Sequence, residues 1–373
     1  MILASIFNHN GELLLLYMLL ISSIAFISVM PQFSRNKKYG LNLFGLGILT
    51  FAMALMPIQC GDFFYHGKML QDAVGISHLE DFYLLLWDKS QDYLLWRTLI
   101  WGSCTILLIL SIKRLKLNPY FSSFIFIITE FYYFGTMRNM LGYMVMFYSI
   151  FVIFCPFSNK HKIFSWAIGA MGIYGSFFLH RSMYLYLLFL IPALIPFGKR
   201  FIKVSLLCFP ILYGMVFVLA RYFLIYFSTG EDLQISAEGY VNDILNTTFM
   251  QSLNSIIRYA SYLYLLYIVV RESSKKTIIM PSVFKYLTRY SFLLIYLGSL
   301  FLGQVTGGWL FIRFTGAGEL AFMFVMMYFF YRYPRTKGVK LAFAGLTYFI
   351  LYNIAYITYY NASFIGKVNT ITL

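Results

Sequence analysis

Apolar runs long enough to cross a bilayer recur along the whole chain, and no long polar stretch separates them. A hydrocarbon core about 30 Å thick takes about 20 helical residues, and a backbone inside it must satisfy its own hydrogen bonds, so runs of this kind fold as helices. They fall near 13–30, 40–57, 94–112, 119–137, 139–156, 163–180, 182–197, 204–227, 255–270, 283–302, 311–331 and 341–358. The expected architecture is an all-α polytopic membrane protein of about twelve spans, a single domain over residues 1–373. Two longer outer loops are expected near 58–93 and 228–254. The first of these mixes acids with aromatics and is expected to include a helix lying in the membrane interface. Composition agrees, with 12% charged residues where soluble chains carry about 25%, and a mean hydropathy of +0.73. The opening MILASIFNHNGE has no basic n-region and no small-residue cleavage site, so the first run is read as a span and not as a removed signal.

The net charge of +15 could point to nucleic acid, but its distribution does not. Basic clusters occupy alternate connections, at Arg35 to Lys38, Lys113 to Lys116, Lys160 and Lys162, Lys199 to Lys203, Arg271 to Arg289, and Arg332 to Lys340. Together they hold 20 of the 29 Lys and Arg, while 13 of the 14 acids fall on the other side, Glu272 being the exception. By the positive-inside rule the basic face is cytoplasmic, which puts both termini outside. The 40 Phe and 32 Tyr suit an aromatic belt at the span ends. Cys60, Cys104, Cys155 and Cys208 show no C-x-x-C spacing and read as packing residues.

The depleted outer face nevertheless carries six arginines standing alone at or inside span ends: Arg97, Arg138, Arg181, Arg221, Arg258 and Arg313. An arginine fork binds phosphate oxygens bidentately and keeps its charge when buried, so the set suits an anionic headgroup. For a single one of them, a snorkelling or ion-paired arginine explains as much. Arg313 and Glu319 are about 240° apart on one helix and do not neutralise each other locally. The stretch 136–182 concentrates the signal, since two antiparallel spans joined by Lys160-His161-Lys162 return Arg138 and the pair His180-Arg181 to one face. His180 is the first candidate for proton transfer, because an imidazole titrates near neutral pH. Asp62, just beyond the second span, is the alternative base or a sugar-hydroxyl ligand. A histidine hydrogen-bonded at a span end and a solvated loop acid are the ordinary explanations of both.

No metal is expected. His66 and His78 have Asp72, Glu80 and Asp81 nearby, but neither H-E-x-x-H nor D-x-D spacing occurs. No Walker motif or G-x-G-x-x-G supports a nucleotide cofactor, and none is expected.

Gly61, Asp62 and Tyr65 spell G-D-x-x-Y after the second span, Arg138 to Gly142 spell R-N-x-L-G at the start of another, and Phe178, His180 and Ser182 spell F-x-H-x-S after a basic turn. In these motifs the chain resembles the EpsG-type family of polysaccharide polymerases, relatives of the Wzy O-antigen and capsule polymerases. The resemblance covers roughly residues 40–200 by motif and the whole chain by span count. It implies a GT-C-like glycosyltransferase acting at the outer face of the bacterial inner membrane. Donor and acceptor would be glycans linked to polyprenyl pyrophosphate, with a flippase and a chain-length regulator as protein partners and no nucleic acid. It also implies separate roles for Arg138, on the pyrophosphate, and His180, on the acceptor hydroxyl. The sequence departs from the family in placing Arg181 after the histidine. A lipid-linked oligosaccharide flippase and a membrane O-acyltransferase acting on glycans are the rival expectations from other classes.

Overall fold

The computed structural model describes residues 70, 79–119, 121–122, 125–126, 137–180, 183–227, 249–275, 278–300 and 307–333. Among them every regular element is helical and there is no strand. In chain order the α-helices are α1 Asp81–Ser90, α2 Tyr93–Arg114, α3 Met137–Phe154, α4 Lys162–Leu179, α5 Met183–Leu187, α6 Lys199–Phe227, α7 Phe249–Ser273, α8 Ser282–Leu300 and α9 Gly307–Arg332. The chain divides into two compact units, one of residues 1–184, 326–332 and 346–373, the other of residues 185–325 and 333–345.

In the first unit, α1 and α2 are separated by a two-residue turn. Gln91 takes a left-handed conformation (φ 49°) and its N–H closes on the Trp87 carbonyl. Asp92 then caps α2, its carboxylate accepting from the Leu95 N–H at 2.8 Å. Reversed in this way, α1 lies back on α2. The α2 residues Trp96, Ile100, Trp101, Cys104, Leu108 and Ile112 form one buried stripe at helical spacing.

Helices α3 and α4 are joined by the turn around Ser158 and a short 3-10 helix Asn159–His161, whose first N–H groups the Ser158 hydroxyl helps to cap. They run antiparallel. A side chain on Gly169 would meet Ile153 and, at 2.8 Å, the Ser149 carbonyl, while one on Gly172 would strike the Ser149 hydroxyl. The α4 surface turned inward is therefore made of small residues, with Ser165, Gly169 and Ser176 buried and Gly172 against Ser149. Its large apolar residues point the other way, Ile163 being 81% exposed, Met171 64% and Tyr174 62%. At the far end, Arg114 of α2 donates to the Cys155 carbonyl at 2.6 Å and lies over the Phe157 ring at 4.1 Å, so it caps the last turn of α3.

The second unit is built on α7, α8 and α9 up to Val325. Gly318 lets α9 approach Leu294 and Ile295 of α8. Tyr262 meets Phe322 edge to face at 6.2 Å, and Thr315 donates to the Tyr259 hydroxyl at 3.3 Å. Glu272 is buried between Arg271 and Lys275, which both bond it, so the one acid of the basic face is neutralised locally.

Most expected spans that fall on described residues are helices with ends within about six residues of the expectation. The span expected at 182–197 is the correction. It is broken into α5, a turn over 188–191 and a 3-10 turn Pro192–Leu194. Pro192 and Pro196 supply no N–H, and a continuous helix through them would lose two bonds. In the second unit the carbonyls of this stretch go to side chains of α8. Tyr290 donates to Tyr186 at 3.2 Å, Tyr286 to Leu190 at 3.3 Å and Arg289 to Leu194 at 2.8 Å. The outer loop expected at 228–254 is also shorter than its polarity indicates, because α7 begins at Phe249. Met250, Gln251 and Leu253 are good helix formers outside the apolar run. The first loop does contain a helix, α1. The runs 13–30, 40–57 and 341–358 lie outside the described residues, as does most of the run 119–137.

By length and apolarity two of the described helices, α2 and α4, could each cross a membrane. Cys104, Cys155 and Cys208 are free thiols, and Cys104 is buried in the α2 stripe; Cys60 lies outside the described residues.

Candidate functional site

Three of the candidates, Arg97, Arg138 and His180, stand where α2 and α3 begin and α4 ends, in the first unit. Docking of α1 builds this place. Tyr83 is wholly buried against Trp96, their rings 5.8 Å apart, and the Trp96 indole N–H donates to the Tyr83 carbonyl at 3.1 Å. The Tyr83 hydroxyl donates to the backbone carbonyl of Arg138 at 3.3 Å, tying α1 to the first turn of α3. Burial, with Glu80 adding to it, pushes the Tyr83 phenol well above its ordinary value, so it remains a donor at any physiological pH.

Glu80 immediately precedes α1, and the docking brings its carboxylate to Arg138, Nη1 to Oε2 at 2.9 Å. Arg138 keeps 19% of its side-chain surface exposed and Glu80 8%. Arg97 is buried one turn into α2, its guanidinium 5.2 Å from the centre of the Tyr93 ring. Stacking on an aromatic face compensates part of the charge of a buried guanidinium, which suits an arginine kept charged beneath a surface.

His180 ends α4 in extended conformation (φ −163°, ψ 125°). Its N–H reaches the Ser176 carbonyl, its own carbonyl accepts from Met183, and it is buried. The register of the α3–α4 pair places it. Ile153 stands beside Gly169 and Ser149 beside Gly172, and the sequence continues until Met183 packs on Gly142, where a Cβ would lie 2.9 Å from its methyl group. His180, between α4 and Met183, thus falls at the end of the pair where α3 begins, the end that carries Arg138. Of the expected group, Arg138 and His180 share one end of the helix pair, and Arg181 lies outside the described residues. In the R-N-x-L-G stretch Gly142 has a packing role, that of seating Met183. The side-chain oxygen of Asn139 is buried with no hydrogen-bond partner among the described residues.

The other expected site residues are not among those described at this place. Asp62 and Arg181 lie outside the described residues. Arg221 is on α6, Arg258 on α7 and Arg313 on α9, in the second unit, and their side chains are not among those described. Of the loop residues weighed for a metal, Glu80 is engaged by Arg138, and His66, Asp72 and His78 are outside the described residues.

Two acids take places that the sequence does not assign to them. Glu80 reads in sequence as a loop acid, and the signal that it partners Arg138 is weak, since 58 residues separate the two. Glu319, expected not to neutralise Arg313, is wholly buried, one turn beyond buried Thr315, on the α9 face that meets Tyr259 and Tyr262. An acid in the middle of an apolar helix was the visible signal there.

Comparison with protein-family models, with curated proteins and with solved structures finds no match to this chain.

Proposed function

We propose that this protein is a membrane-embedded polymerase that joins polyprenyl-pyrophosphate-linked oligosaccharide repeat units. The observation that carries the reading is the grouping of Arg97, Arg138 and His180 at one end of the α2–α3–α4 cluster. Cations and a titratable imidazole there face chemistry that releases a pyrophosphate and a proton. The membrane setting is supported by α4, which buries its small residues and exposes its large apolar ones. In water that arrangement would leave an apolar stripe uncovered, whereas between lipid and protein it is the favoured one. The finer topology is part of the proposal: about twelve spans in the bacterial cytoplasmic membrane, the site at its outer face and both termini outside.

In the reaction, the anomeric carbon of the growing glycan loses its bond to the lipid pyrophosphate and gains one to a hydroxyl of the incoming unit. The hydroxyl proton passes to His180, or to Asp62, and the lipid pyrophosphate leaves with the electron pair. Charge on the departing oxygens grows as that bond breaks, so arginines aimed there lower the barrier. The sequence has no D-x-D pattern for a metal to share this task. Arg138→Ala and His180→Ala are each expected to reduce polymer in cells by about 100-fold or more at normal protein abundance. Full-length polymer from either variant would exclude that residue's role.

The broken segment over 183–198 favours a second reading, a lipid-linked oligosaccharide flippase, because transporters place discontinuous helices at their substrate sites. A null strain separates the two. Single repeat units accumulating on the outer leaflet support the polymerase, and units retained on the inner leaflet support the flippase.

A further inference from the structure

Arg138 already meets a carboxylate before any substrate arrives, and the fold is arranged to make that meeting. Glu80 reaches Arg138 across 58 residues because Tyr83, three positions later, is buried in the first unit and bonds the Arg138 carbonyl. The pair is covered unequally, with more of the arginine open than of the acid. Glu80 also occupies the N-cap of α1, in extended conformation, and its side chain makes no capping bond to that helix. The positive end of α1 is therefore a second favourable seat for the carboxylate.

We propose that Glu80 is the resident counter-ion of Arg138, displaced by the anionic headgroup, and that this exchange sets how strongly the site holds pyrophosphate. The proposal rests on the reading of Arg138 as a phosphate ligand. A pyrophosphate offers several oxygens to the guanidinium fork and more than one negative charge, so it can outcompete a single carboxylate. An anion carrying one carboxylate gains nothing over Glu80 itself. Glu80 then works as a threshold, admitting polyphosphate and refusing weaker anions, and its removal strengthens the binding of any phosphate.

The test uses the full chain in nanodiscs of zwitterionic lipid, titrated separately with inorganic pyrophosphate and with farnesyl pyrophosphate. Glu80→Gln, which keeps the shape and discards the charge, is expected to tighten binding about tenfold, and Arg138→Ala to abolish that gain. Equal tightening for both probes identifies the headgroup alone as the ligand, and tightening confined to the farnesyl probe identifies a lipid-linked one; either supports the exchange. Unchanged or weaker binding of both probes by Glu80→Gln, with Arg138→Ala still defective, overturns the counter-ion role and leaves the phosphate site standing. Undiminished binding by Arg138→Ala alone overturns the phosphate reading itself. Should Glu80→Gln fail to fold, Glu80→Asp keeps the charge one methylene farther away and is expected to tighten binding about two- to threefold. An unchanged affinity in that folded variant overturns the proposal.

Discussion

A lone arginine on the face that positive charge avoids is legible in sequence, and Arg138 was found in that way. Its partner was not, because contact between Glu80 and Arg138 depends on how α1 folds back through a two-residue turn, which charge patterns do not encode. The opposite case is Glu272, whose oddity, an acid on the basic face, is explained by neighbours one and three positions away. It lies beyond the expected span 255–270. The hydrogen bond from Lys275, then that from Arg271, holds its carboxyl below the ordinary 4.5 against the opposing effect of burial. A carboxylate depressed on folding contributes stability above its unfolded pKa and loses the contribution as pH falls through the folded one. Both cations are largely exposed, which screens the gain to about 0.5–1 kcal/mol. Glu272→Gln in nanodiscs is thus expected to melt ~1–2 °C below the parent at pH 7, with the gap closing well below pH 4.5. A gap that stays constant with pH would assign the loss to shape rather than charge.

At the level of elements, apolar run length located α2, α3, α4, α8 and α9 closely, since in each the run and the hydrogen-bonded helix coincide. It failed at 182–197, where hydropathy counts isoleucine and leucine but is blind to what Pro192 and Pro196 do to the backbone. The two prolines were the signal to read. It also said nothing about which side of a helix turns inward, and here α4 is the informative case. Its 4-3 spacing of Ser165, Gly169, Gly172 and Ser176 faces α3, so Gly169→Leu forces a side chain into Ile153 and the Ser149 carbonyl. Overpacking of that kind costs about 1–3 kcal/mol and is expected to lower both melting temperature and polymer yield. Met171, outward on the same helix and 64% exposed, distinguishes lipid from water. If water covers it, Met171→Lys is harmless. If lipid does, a charge near the middle of an 18-residue span costs about 2.5–3.5 kcal/mol of insertion, and the variant is expected to be depleted from membranes. Wild-type membrane levels of Met171→Lys would refute lipid exposure of α4.

For the whole molecule, alternation of basic connections predicts sidedness without reference to any contact, and geometry within the first unit is consistent with it. The Arg114 cap joins the α2 end to the chain just after α3, in the company of Lys160 and Lys162, while Glu80, Arg138 and His180 belong to the opposite ends of the same helices. Long-range order among helices was illegible, because a pattern of spans carries no information on which of them pack together; that requires the steric detail of residues such as Gly142 and Gly318. Sidedness itself is open to direct measurement. In a chain whose native cysteines are replaced by serine, a cysteine at Gln91, in the turn before α2, is expected to react with a membrane-impermeant maleimide in intact cells. One at Lys275, beyond α7, is expected to react only after the membrane is opened. Between these positions lie α2, α3, α4, the broken 182–197 segment, α6 and α7, together with the run 119–137, so the expected count of crossings is odd. If the broken segment turns back instead of crossing, the count becomes even and both cysteines label from outside. Labelling of Lys275→Cys in intact cells would therefore make the number of crossings even and put the basic cluster from Arg271 to Arg289 on the outer face, against the rule that assigned it.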